Sequence, residues 1–95
     1  MPYARGETVG GDDLVAQARQ VFANIGALLA AAHASFAGVV KVTYFVRDIT
    51  EFPRLVALRR EIFPAPYPAS TAVEITRLLK TEWLIEIEAI AVLPA

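Results

Sequence analysis

Two carboxylates, Glu86 and Glu88, stand two residues apart near the end of the chain, among Ile85, Ile87, Ala89 and Ile90. In an extended strand that spacing puts both on one face. Carboxylates in such an apolar setting suit the orienting of a water or general acid–base proton transfer. The same spacing also suits an ion pair across an interface, with Lys41 or an arginine as partner. Ser70 offers a hydroxyl that can hold a ligand, or simply opens a strand. No base is spaced to make it a nucleophile. Arg59, Arg60 and Arg77 are candidate anion partners, with surface positions as the plainer reading. Tyr44, Tyr67 and Trp83 either line a cleft or pack. His33 is the only histidine. It falls near an expected helix end, where its tolerance of left-handed backbone suits a C-terminal cap. There are no cysteines, which excludes disulfides, thiolate nucleophiles and cysteine-based zinc sites. No metal and no organic cofactor is expected.

These residues must be carried by a small set of elements. Residues 1–11 are Gly-rich and polar and read as a loop or arm, with residues 12–95 as the domain. Asp12 and Asp13 offer N-cap oxygens. Leu14, Ala18, Val21, Phe22, Ile25, Leu28, Leu29 and Ala32 then recur at helical spacing, with Gln17, Arg19, Gln20 and Asn24 on the opposite face. Val39 to Arg47 is β-branched and aromatic, a strand. Val40, Val42, Tyr44 and Val46 point one way, and Val39, Lys41, Thr43, Phe45 and Arg47 the other. Asp48 to Thr50 makes a turn, with Thr50 as N-cap of a second helix that uses Phe52, Leu55, Val56, Arg59, Ile62 and Phe63. Prolines 64, 66 and 68 end it. Ser70 to Leu78 and Trp83 to Leu93 alternate as two further strands. The order is α-β-α-β-β, an α+β arrangement within the α/β class.

Composition adds a constraint. The chain has 95 residues, of which 56% are apolar, and its mean hydropathy is +0.46. Two helices cover one face of a sheet, yet the last strand is apolar on both faces apart from its two glutamates. The second face needs a cover from outside the chain, and a second copy is the simplest one. A membrane is not expected to be that cover, because Val21 to Phe36 is interrupted by Asn24, Gly26, His33 and Ser35 and falls short of the roughly 20 apolar residues of a span. The first residues lack the apolar run of a signal peptide, so a cytoplasmic location is expected. The net charge of −1, with no basic track, speaks against nucleic acid as a partner.

Four segments resemble the YjgF/Rid family of reactive-intermediate deaminases, also known as L-PSP endoribonucleases. They are Val15 to Gln20, the strand Val39 to Asp48, Pro68 to Ile75, and Ile85 to Ala91, which is the most specific. The resemblance implies a chorismate-mutase-like fold and a homotrimer whose sheet faces pack centrally. It also implies small-ligand clefts between subunits and hydrolysis of enamines or imines to ketoacids and ammonia. By the same resemblance Glu86 is catalytic and orients the attacking water, and Ser70 stands at the substrate-binding position; Glu88, from its place on the same strand face, is the other expected substrate-binding residue, the ligand being a small carboxylic acid. Three departures stand out. The chain begins later than the family pattern, without its first two strands. The family's Pro-Ala-Arg reads Pro68-Ala69-Ser70, so a serine stands where an arginine holds the substrate carboxylate. The family's asparagine in the second helix falls on Val56. A guanidinium clamps a carboxylate bidentately, whereas a serine offers one neutral hydrogen bond. The alternative is therefore a non-catalytic ligand-binding or interaction protein on the same scaffold.

Overall fold

The computed structural model describes residues 1–94. Residues 1–11, expected as a loop or arm, contain a two-stranded hairpin: β1 (Tyr3–Ala4) pairs antiparallel with β2 (Glu7–Thr8). The turn is Arg5-Gly6, with φ of 54° and 79°. A two-residue turn with both φ positive matches the twist of the flanking strands, and only the glycine adopts it without strain. Gly10 then lies against the next helix. A Cβ there would sit 2.6 Å from the Gln17 backbone nitrogen, so no side chain fits.

Helix α1 (Leu14–Ala31) starts at Asp13, whose carboxylate accepts the Ala16 N–H at 3.1 Å. It ends as the sequence predicts. His33 has φ 59°, its N–H reaches Ala30 O, and Ala34 N–H reaches back to Leu29 O. That pair of bonds closes the last turn around a left-handed residue. By length and a mean hydropathy of 1.2 this helix could cross a membrane, but Leu14, Ala18, Val21 and Phe22 are buried in the core of the fold. One assignment needs correcting. Gln17, expected on the outer face, is fully buried, and its carboxamide makes every bond it can reach: Nε2 donates to Gly11 O and Glu82 O, and Oε1 accepts from Leu84 N–H. Three backbone groups without strand or helix partners supply the reason it is inside.

Strand β3 (Val39–Val46) is the centre of a three-stranded mixed sheet. A 3-10 segment, Ile49–Leu55, leads into α2 (Val56–Ile62). Asp48, rather than the expected Thr50, caps it, with Oδ1 accepting the Thr50 N–H at 3.0 Å. Pro53 breaks what would otherwise be one longer helix. α2 crosses over to β4 (Ala69–Glu74), which pairs parallel with β3 and stops four residues short of the expected end. Strand β5 (Ile85–Ala91) pairs antiparallel on the other side of β3. A bulge at Val39/Lys41 turns Val40 out and Val39 in, reversing their expected sides.

The core lies between the helices and one face of the sheet. It holds Val42, Tyr44, Val46, Ile85 and Ile87 from the strands, Leu14, Val21 and Phe22 from α1, and Leu55, Leu58 and Phe63 from the second helical segment. Phe22 meets Phe36, Tyr44 and Phe63 edge-on, the arrangement aromatic quadrupoles favour. The other face, with Phe45, Val73 and Ile90, has no helix over it among the described residues, and Val73 and Ile90 are exposed.

Candidate functional site

Strand register decides which of the candidate residues can work together. Ser70 pairs with Val42, and Ala72 with Tyr44, so both share the helix-covered side. Glu86 pairs with Phe45, and Glu88 with Thr43, so both project from the uncovered side. Within one chain, then, Ser70 and Glu86 lie on opposite faces of the sheet. Glu86 and Glu88 do share a face, as their spacing predicts. Within one chain neither acid meets Lys41, and the ion pair across an interface would need a second copy. The Lys41 ammonium instead donates to Thr71 Oγ1 at 2.7 Å, while Glu86 accepts from the Met1 amino group at 2.8 Å.

On the helix side, α2 and the segment leading to β4 border an open-sided cavity of about 210 Å³. Its floor is the ring of Tyr44. Val56, Arg59, Arg60 and Phe63 come from α2 and its end, Tyr67 and Pro68 from the following segment. Val56 and Tyr67 are exposed and form the mouth. Helical spacing explains the α2 contribution: residues 56, 59, 60 and 63 fall on one side. No acidic side chain lines the cavity.

At the edge of this cavity, which Tyr44 and Arg59 line, a polar triad joins three elements. Arg59 Nε donates to the Tyr44 hydroxyl oxygen at 3.2 Å, and Nη2 donates to Ser70 Oγ at 2.9 Å. The guanidinium carbon lies 5.1 Å from the Tyr44 ring centroid and 5.2 Å from that of Phe52. Stacking of this kind fixes a planar cation and leaves its edge free for hydrogen bonds. Burial pushes the Tyr44 hydroxyl above its ordinary value of 10.0, with Arg59 partly opposing it. The phenol is therefore neutral at neutral pH. Of the cleft aromatics weighed from the sequence, Tyr44 and Tyr67 line the cavity. Trp83 is buried elsewhere, its Nε1 donating to Thr8 Oγ1. Arg59 was one of three candidate arginines in the sequence. Nothing in the spacing singles it out, because its approach to Ser70 depends on the parallel crossover.

A fold with this strand order and site invites comparison with known proteins. The family model for endoribonuclease L-PSP matches residues 1–93. A RutC family protein of Pyrococcus horikoshii is 46% identical over 86 residues, which are 90% of this chain and 67% of that protein. The 2-iminobutanoate/2-iminopropanoate deaminase of Salmonella typhimurium is 42% identical over 84 residues, 85% of this chain and 65% of that enzyme. Among solved structures, the Rid-family protein YyfB of Yersinia pestis superposes with a TM-score of 0.86 at 36% identity, covering 96% of this chain and 71% of that one. The chain belongs to the YjgF/Rid family and has its α+β fold. It spans about two thirds of the length of the curated relatives it matches.

Proposed function

We propose that the chain is a Rid-type hydrolase that converts small enamines or imines to ketoacids and ammonia, working as a homo-oligomer, in the first instance a trimer. The observation that carries this reading is the 42% identity to a named 2-iminobutanoate/2-iminopropanoate deaminase along most of the chain. The placement of the candidate residues supports an assembly. A site that uses both Ser70, beside the cavity, and Glu86 needs the uncovered face of a second copy, since one sheet separates the two within a chain. Exposed Val73 and Ile90 on the Glu86 face give that copy apolar surface to bury.

In this reading Glu86 of one copy takes a proton from water, whose oxygen adds to the imine carbon seated in a neighbour's cavity. That proton passes to nitrogen, giving a carbinolamine; its hydroxyl proton then follows to nitrogen as the C–N bond breaks, and ammonia leaves with the ketoacid formed. Glu88, on the same face, contributes to holding the substrate. The test uses 2-aminoacrylate generated in situ by a dehydratase and followed as pyruvate. The wild-type protein accelerates ketoacid formation, and Glu86→Gln slows it about 100-fold or more, the usual size of a general acid–base contribution. A pure protein that leaves the spontaneous rate unchanged removes the enzyme reading. Stabilisation by pyruvate without turnover would instead point to a binding protein, the reading favoured by a serine at position 70.

A further inference from the structure

The cavity has a cation held ready without an acid. Among the described residues no carboxylate lies within ion-pairing distance of Arg59, and it is the arginine that stacks on two rings beside the cavity. Its neighbours reinforce one sign. Tyr44 and Ser70 spend hydroxyl lone pairs on the guanidinium, so their own hydrogens are free to donate. Two of the five guanidinium N–H groups are engaged, which leaves three. The cavity therefore presents donors and positive charge, with exposed Arg60 adding to both, and no competing anion. At about 30 Å³ per water, its roughly 210 Å³ admits a molecule of a few heavy atoms.

We propose that Arg59 is the anion-binding and substrate-selecting residue of this chain, reaching from α2 to the hydroxyl of Ser70 and there clamping the carboxylate of a small 2-imino or 2-oxo acid. The guanidinium that the family resemblance places on the strand is supplied by the helix instead. Catalytic use of that carboxylate rests on the deaminase reading, but its binding does not. Isothermal titration of the full chain with pyruvate, and with pyruvamide as an uncharged match in shape, tests the binding. Wild type binds pyruvate at least 10-fold more tightly than pyruvamide, a ratio of the size expected for a charge-assisted pair. Arg59→Met loses that preference and keeps its Tm within a few degrees. The double variant Arg59→Met/Ser70→Arg regains it. Arg59→Lys, which keeps charge but not the fork, falls between. Equal affinity of wild type and Arg59→Met for pyruvate would overturn the assignment, as would a wild type with no preference for the charged ligand or no saturable binding of pyruvate. Selective pyruvate binding without deamination would remove only the enzyme reading. Deamination with KM unchanged in Arg59→Met would remove only the role of Arg59.

Discussion

At the scale of single residues, the sequence announces its carboxylates more clearly than its cation. Glu86 and Glu88 are legible because alternation in a strand is a local rule, and the structure keeps both on one face. Arg59 is not, because its meaning depends on Ser70 and Tyr44, which a crossover brings to it. Gln17 misleads for a related reason. Periodicity reads polarity as exposure, whereas a carboxamide with three backbone partners is worth burying. Tyr44 carries a prediction at this scale. Burial raises its folded value above 10.0, so the folded state holds the phenolic proton more tightly than the unfolded one. Stability linked to that proton is fully present below pH 10 and declines as pH rises through the folded value. Denaturant midpoints measured across the alkaline range should show that decline in wild type, and Tyr44→Phe should remove Tyr44's share of it. An identical alkaline limb in both would place the phenol in water.

At the scale of elements, the long helix and the central and last strands are readable from period and β-branching alone. Boundaries fail where backbone geometry overrules side-chain pattern. Arg5-Gly6 is a turn signal, but four paired residues around it are too few to show alternation. Pro53 splits the second helical region into a 3-10 lead and a short α-helix, a division that an apolar spacing of three and four does not register. The cap at His33 yields a prediction. Histidine there holds φ 59°, which glycine adopts without a Cβ penalty. His33→Gly should stabilise the protein by about 0.5–1 kcal/mol, or several degrees in Tm for a domain of this size. A lower Tm would mean that the imidazole itself contributes packing or bonding to the end of α1.

At the scale of the whole molecule, the greasy composition has a visible location. Two helical segments cover one side of three strands, and the other side displays Phe45, Val73 and Ile90 beside Glu86 and Glu88. If a second copy covers that side and each site draws Arg59 from one chain and Glu86 from another, two inactive proteins can repair each other. Arg59→Met and Glu86→Gln, unfolded together in equal amounts and refolded, should recover about a quarter of the wild-type site count, because random assembly pairs one intact residue from each parent at that frequency. Recovery near zero would place both residues of a site in one chain. One side chain reaches across this scale. Gln17 fastens the Gly11 carbonyl and the backbone on either side of Trp83 to α1, just before β5 begins. The first residue of that strand is thereby set by a helix as well as by its pairing with β3. Sliding β5 by one position would turn Glu86 toward the aromatic interior and Ile87 toward solvent. A buried carboxamide some seventy residues away in the chain thus acts as the ratchet that decides which way the acidic edge looks.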